Sequence, residues 1–311
     1  MPPPRDPEAL LRRLEWTVIR RLDGLLHGDY GTLFRGAGLD LADLREYQLN
    51  DDVRHIDWNV TARLQHPHVR QYQEDREVTA WFLLDVSASV DFGSETVTKR
   101  AVLTDFVAVL ARLLTRHGNR VGALLFDGAV EATLPPRSSR THVLHLLRRL
   151  LSPSRSAPTG TTDLAAMLQA ALGIITRRSV VFVVSDFVSP AGWVAPLRQL
   201  AARHDVLAVR LFDPLEIALP DVGLLVMQDA ETGEQLVVDT TDAGFRERFA
   251  AAAARRDDET RAMLQRAGVD TLELATDDHL VDAIVRFSDL RRRRTQLASG
   301  GGLPAHLEAR A

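Results

Sequence analysis

Trp81-Phe-Leu-Leu-Asp85-Val-Ser87-Ala-Ser89 carries more structural information than any other stretch of the chain. Its apolar half reads as a buried parallel strand over Thr79–Asp85, which ends in a carboxylate followed by two hydroxyls at a spacing of two. In an open α/β sheet, ligands bind at that C-terminal edge. Residues two apart on an extended segment point the same way, so Asp85, Ser87 and Ser89 are expected to converge just above the sheet. An Asp with two neutral oxygens is the ligand set of a hard divalent cation, Mg2+ in particular.

Outward from this stretch, buried strands alternate with amphipathic helices from Val78 onward, the signature of a doubly wound α/β domain. Strands are expected at Thr79–Asp85, Val121–Phe126, Val180–Ser185 and Val206–Phe212, with helices near Thr96–His117, Asp163–Arg177 and Trp193–His204. A shorter helix near Thr141–Leu151 fills the connection between the second and third strands. Leu224–Val226 and Gln235–Val238 flank the turn Glu231-Thr-Gly-Glu234 and read as a β-hairpin. A helix over Asp242–Ala267, a strand over Val269–Leu274 and a helix from Asp277 to Arg294 close the domain.

Upstream, Leu10, Leu11, Leu14, Val18, Leu22, Leu25 and Leu26 recur at spacings of three and four, so Pro7–Leu26 reads as an amphipathic helix. Gly28–Glu77 has no sustained period and reads as an irregular wrap with a strand near Val69–Gln73. The tail from Thr295 contains Ser299-Gly-Gly-Gly302 and is expected to be mobile. The expected organisation is therefore an N-terminal helix and wrap (1–77), an α/β domain with a mostly parallel sheet flanked by helices and a C-terminal hairpin and helix extension (78–294), and a tail (295–311).

With 45% apolar and 26% charged side chains in 311 residues, the chain is not disordered. No apolar stretch approaches the roughly 20 residues of a membrane helix. The start Met1-Pro-Pro-Pro-Arg-Asp lacks the pattern of a secretory signal, so a cytoplasmic location is expected. The absence of cysteine removes disulfides, thiolate metal sites and cysteine nucleophiles together. A formal charge of −4 gives no general attraction to nucleic acid or an anionic membrane. Of 38 basic residues only Lys99 is a lysine, an excess of arginine that reads mostly as base-composition bias. Lysine chemistry thus has one candidate.

Two further segments fall at strand ends or helix starts of the same sheet edge. Thr159-Gly-Thr-Thr-Asp163 opens the helix that follows it, and Thr162 or Thr161 can reach a metal beside the first strand. Ser185-Asp186 ends the third strand with a second carboxylate. Together with Asp85-Val-Ser-Ala-Ser89, these segments resemble the metal-ion-dependent adhesion site of a von Willebrand factor A domain. The resemblance implies direct coordination of Mg2+ or Mn2+ by Ser87, Ser89 and Thr162, with Asp85 and Asp186 acting through waters or hydroxyl contacts. Leu44-Arg-Glu-Tyr47, Asn50-Asp-Asp-Val-Arg54, Ile56-Asp-Trp58, Thr61-Ala-Arg63 and Asp75-Arg-Glu77 in turn resemble the hallmark block of bacterial domain-of-unknown-function 58 proteins. Such proteins place this block directly before a von Willebrand A-like domain. The resemblance spans Leu39 to Phe212, with Asn50 in place of the usual glycine and Val90 in place of a common methionine.

Each motif also has a plainer reading. Asp85, Ser87 and Ser89 can cap a strand-end turn, and Thr162 or Asp163 can cap a helix. Asp51, Asp52, Arg54, Asp57 and Arg63 favour a salt-bridge lattice that holds the wrap, with Trp58 as its apolar anchor. His66-Pro-His68 has a zinc-compatible spacing but no third ligand nearby and reads as exposed histidine. Lys99 is not part of a phosphate loop and reads as a first-turn residue of its helix. Arg291–Arg294 reads as a solvated helix end favoured by the helix dipole.

Metal and acceptor oxygens without a histidine base or a Gly-x-Ser-x-Gly elbow fit binding better than turnover. The family resemblance implies pairing with a MoxR-type AAA+ ATPase and an adaptor role toward an unknown client protein whose carboxylate completes the metal site; no Walker motif is present here, so any ATP hydrolysis must come from that partner. The competing expectation is a Mg2+-dependent phosphohydrolase that uses Asp85 as nucleophile or ligand, although Ser87 stands where such enzymes need a second aspartate as general acid.

Overall fold

The computed structural model describes residues 6–25, 43–47, 58–71, 78–93, 97–152, 162–228 and 235–298. Asn50–Arg54, Ile56, Asp57, Asp75–Glu77, Thr159–Thr161, the turn 231–234 and the chain beyond 298, all singled out above, lie outside these residues.

Helix α1 (Pro7–Leu14) begins where the Asp6 carboxylate accepts from the N–H groups of Glu8 and Ala9. It passes through a π-helical turn (Glu15–Ile19) into α2 (Arg20–Leu25). Of the predicted apolar stripe, Leu10, Leu11, Leu14 and Leu22 are buried and Val18 is partly so, while Ile19, outside that stripe, is buried at the end of the π-helical turn. The Arg20 guanidinium covers the ring of the exposed Trp16 on the opposite face.

The segment read as an irregular wrap holds regular structure. Strand β1 (Asp43–Glu46) pairs antiparallel with β2 (His68–Gln71), and α3 (Trp58–Leu64) lies between them in sequence. β2 answers to the strand expected near Val69–Gln73, whereas β1 and α3 are too short to build a period that a sequence window would detect. Trp58 is 70% exposed at the start of α3, so it is not the apolar anchor expected of it. His66 is exposed, and the His68 ring bonds through Nδ1 to the His66 carbonyl at 2.7 Å.

The main sheet is built from six strands among the described residues. Strands β3 (Thr79–Asp85), β4 (Arg120–Asp127), β6 (Val180–Ser185), β7 (Asp205–Phe212) and β10 (Asp270–Ala275) run parallel to one another in the order β10-β7-β6-β3-β4. β5 (Ala129–Arg137) pairs antiparallel with β4 at the edge. β5 was not expected, because it carries Pro135 and Pro136 and leaves most of its side chains outside the core. Both features suit an edge strand.

Alternate strand residues feed two cores, as a sheet covered on both faces requires. Ala80, Phe82 and Leu84 face α1, α4 (Lys99–Arg116), α5 (Arg140–Leu151) and α10 (Leu280–Ala298). Trp81 and Leu83 face α6 (Leu164–Ile174), α7 (Val194–Arg203) and α9 (Ala243–Ala267). A short helix α8 (Pro214–Ile217) follows β7, and β8 (Leu224–Gln228) with β9 (Gln235–Asp239) forms the expected hairpin as a separate two-stranded sheet.

The last helix continues to Ala298, past the expected end at Arg294, so the first residues assigned to the tail are helical. Arg291 is therefore not at a helix end, and it is buried. Its guanidinium lies 2.5 Å from Asp205 and 3.1 Å from Asp270, so ion pairing rather than solvation accounts for it.

Candidate metal centre at the carboxyl edge of the sheet

Because β3, β6, β7 and β10 are parallel, Asp85, Ser185, Asp213 and Thr276 emerge at one edge of the sheet. Asp85 is fully buried and both its oxygens are engaged. Oδ1 accepts from the Ser87 N–H at 3.1 Å, and Oδ2 accepts from the Ser185 hydroxyl at 2.7 Å. Burial first, and the nearby Asp186 carboxylate second, push the Asp85 carboxyl up to about 6.

Beyond Asp85 the chain does not stay extended. Ser87 leads into a 3-10 turn, Ala88–Asp91, and this tightening rather than strand alternation leaves the Ser87 and Ser89 hydroxyls 3.1 Å apart. Arg100, in the first turn of α4, holds the loop from the side by donating to the Val86 carbonyl at 2.7 Å and to Asp91. Val90 is fully buried beneath it. Gly93 closes the loop against α4, since a Cβ there meets the Val97 carbonyl oxygen at 2.2 Å.

Asp186 is buried, with Oδ1 accepting from the Val188 N–H at 3.0 Å. The next residue, Phe187, has a φ of 59°, uncommon for a non-glycine residue. This turn is held because the Ser185 hydroxyl that donates to Asp85 also accepts from the Phe187 N–H at 3.0 Å. Thr162 is buried just ahead of α6, and the Leu164 N–H donates to Ser189 in the Asp186 loop at 3.1 Å, so the two loops abut. The helix cap is Asp163, whose carboxylate accepts from Ala165 and Ala166; Thr162 does not fill that role.

The residue that motif reading did not place is Lys99. It is the first residue of α4, as the sequence suggests, yet it is buried. Its ammonium donates to Asp186 Oδ2 at 2.9 Å and to Glu216 Oε1 at 2.8 Å. Burial alone depresses a lysine, but the two carboxylates outweigh it and hold Lys99 above its ordinary value, fully protonated. Glu216 also closes the capping box of α8 by accepting from the Asp213 N–H, and Asp213 accepts from the Thr276 hydroxyl at 2.6 Å. A continuous polar chain thus crosses the ends of β3, β6, β7 and β10. The signal available in the sequence was that this is the sole lysine of the chain.

Among the described residues, no group of three or more His, Asp or Glu side chains is arranged to hold a metal. The oxygens of Ser87, Ser89, Thr162 and Asp186 could hold a hard cation, which accepts hydroxyl, carboxylate and water oxygens.

These features define an α/β protein with a mostly parallel sheet and an oxygen-rich, lysine-bridged cluster at its carboxyl edge. The chain belongs to the family described as "Protein of unknown function DUF58", which matches residues 43–259 and so reaches past Phe212 into α9. It is 42% identical to the uncharacterized protein Rv1480 of Mycobacterium tuberculosis over 291 residues, 93% of this chain and 91% of that one. It is 40% identical to the uncharacterized protein MAV169 of Mycobacterium avium over 51% of this chain and 94% of that one. A solved structure of an aerotolerance-related membrane protein from Bacteroides fragilis, with multiple mutations to serines, aligns with 70% of this chain and 99% of its own. The TM-score is 0.45 and the identity 16%. No helix among the described residues is long and apolar enough to cross a membrane.

Proposed function

We propose that the chain is a metal-dependent protein-interaction module: a von Willebrand A-like domain with a metal-ion-dependent adhesion site. The observation that carries this reading is the pair of hydroxyls, Ser87 and Ser89, 3.1 Å apart above an Asp85 carboxylate that is itself fixed by Ser185. In this reading Ser87, Ser89 and Thr162 hold Mg2+ or Mn2+, with Asp85 and Asp186 acting behind them through waters or hydroxyl contacts. When bound, the ion supplies a Lewis-acidic position that can accept a carboxylate from a client protein. A groove of about 320 Å3 between Phe187–Pro190 and the Arg256–Met263 stretch of α9 adjoins the Asp186 loop and offers flanking contacts to that client.

A binding role is favoured over a Mg2+-dependent phosphohydrolase by the state of Asp85. A nucleophilic carboxylate must present an oxygen to its substrate, whereas Asp85 is fully buried with both oxygens engaged. The pairing with a MoxR-type AAA+ ATPase, an adaptor role in assembly or maturation of client proteins, and a cytoplasmic location rest on the family resemblance and the sequence, not on the geometry of the site.

Calorimetric titration of Mg2+ and Mn2+ tests the metal site. Binding that is lost in Ser87→Ala and Asp186→Ala supports it, and absence of binding sinks it. Affinity capture of partners with and without EDTA, repeated with the Asp85/Ser87/Ser89 triple alanine variant, tests the interaction. Partners retained in every condition exclude a metal bridge, and turnover of a phosphate ester that depends on Asp85 returns the enzyme reading.

A further inference from the structure

We propose that Lys99 is a built-in counter-cation of the candidate metal site, competing with a divalent ion for Asp186 and thereby setting how tightly the site holds one. The inference rests on the metal-site reading given above and concerns a residue outside the proposed ligand set.

The position of Lys99 is unfavourable on two counts unless the carboxylates account for it. It opens α4, where the positive end of the helix dipole repels a cation. It is also 1% exposed, and a buried ammonium without partners is costly. Asp186 at 2.9 Å and Glu216 at 2.8 Å, 87 and 117 residues away in sequence, supply the compensation. Helix formation gives no reason for a lysine here, whereas the site does.

The residue type points the same way. The chain meets nearly all its need for positive charge with arginine and departs from that habit at this one position among 38 basic residues. An ammonium is a compact charge with three donors, able to shift between neighbouring oxygens. A guanidinium is a larger planar fork that would need a wider cavity between α4 and the ends of β6 and β7.

Of the two Asp186 oxygens, Oδ2 is the one that Lys99 occupies. Oδ1 accepts from the Val188 N–H and Oδ2 accepts from the ammonium. A divalent ion that reaches Oδ2, directly or through a bound water, must share that atom with a second positive charge, and in a buried site such repulsion is weakly screened. Glu216 provides the release. Its Oε1 already holds the same ammonium, and its Oε2 is anchored by the Asp213 N–H, so Lys99 can remain on Glu216 when Asp186 turns toward an ion.

The test is Mn2+ titration by calorimetry into the full chain and its Lys99→Met, Glu216→Gln and Ser87→Ala variants, with melting temperature as a second readout. Lys99→Met is expected to bind Mn2+ at least tenfold more tightly and to show a larger rise in melting temperature at the same Mn2+ concentration. Glu216→Gln keeps the capping acceptor but leaves the ammonium with Asp186 alone, so its affinity is expected to fall several-fold. If the wild type and Lys99→Met bind equally while Ser87→Ala does not bind, the metal site stands and the role given to Lys99 is overturned. If none of the proteins binds Mn2+, the metal-site reading itself fails and takes this inference with it. Should Lys99→Met not fold, Glu216→Gln decides, and an unchanged affinity there overturns the proposal.

Discussion

The Ser185 hydroxyl donates to the Asp85 carboxylate at 2.7 Å and accepts from the Phe187 N–H at 3.0 Å, so one side chain at the end of β6 fixes both carboxylate loops of the candidate site. Ser185→Ala removes a donor from a buried carboxylate and an acceptor from a buried N–H. The expected cost is about 1–3 kcal/mol of stability, together with weaker divalent-ion binding as Asp186 loses its fixed turn. Urea denaturation of the two proteins measures the first and calorimetry the second. Equal denaturation midpoints show that Ser185 is not the brace described here.

Gly93 and Gly173 make a matched pair. A Cβ at Gly93 meets backbone at 2.2 Å (Val97 oxygen) and 2.5 Å (Thr98 Cα), atoms that cannot rotate away, whereas a Cβ at Gly173 meets nothing of the described residues within 4 Å. Gly93→Ala is expected to destabilise by about 1–3 kcal/mol and to disturb the start of α4, where Lys99 sits. Gly173→Ala, inside α6, is expected to stabilise by about 0.5–1 kcal/mol. Thermal unfolding of both variants settles the comparison, and a Gly93→Ala protein as stable as the wild type removes the claim of close approach.

What could be read from sequence followed the strength of local signals. β3 and β6 were legible to the residue because a strand buried on both faces is a continuous apolar run that ends abruptly in polar residues. β5 was not, since an edge strand with prolines and mixed exposure has no such run. Ser87 and Ser89 were rightly expected near each other but for the wrong reason, the 3-10 turn having replaced the extended segment. Arg291 reads as solvated, and Lys99 as no more than the first-turn residue it is, because their partners lie far along the chain.

Arg291 supplies the next prediction. It is buried on the last helix against the half-buried Asp205 and Asp270, and burial raises the Asp205 carboxyl against the pull of Arg291. Arg291→Ala leaves the half-buried Asp205 without its nearest counter-charge, and the expected loss is about 2–3 kcal/mol, below that for a fully buried pair. Adding Asp205→Asn to Arg291→Ala should recover part of it. A single variant within about 1 kcal/mol of the wild type by urea denaturation contradicts the ion-pair account, since changes of that size are ordinary for surface positions.

His142 and His204 set the sign of a pH effect. Burial lowers both below the ordinary 6.5. His142 donates through Nε2 to the Val121 carbonyl at 2.8 Å, whereas neither ring nitrogen of His204 has a hydrogen-bond partner among the described residues. The unfolded chain therefore takes up protons on these rings at a higher pH than the folded one. Their contribution to stability is complete above 6.5 and is lost as the pH falls through 6.5 toward the lower folded values. Asp85 and Asp205 run the other way, because burial raises both carboxyls and acid then favours the folded chain. The histidine contribution is thus read as a difference between proteins rather than from one curve. His204→Leu removes a titrating ring and its two unpaired nitrogens, so its stability advantage over the wild type is expected to widen as the pH drops from 7.5 to 5.5. Urea midpoints measured across that range for both proteins give the result, and a gap that stays constant shows that His204 does not titrate differently in the folded and unfolded chains.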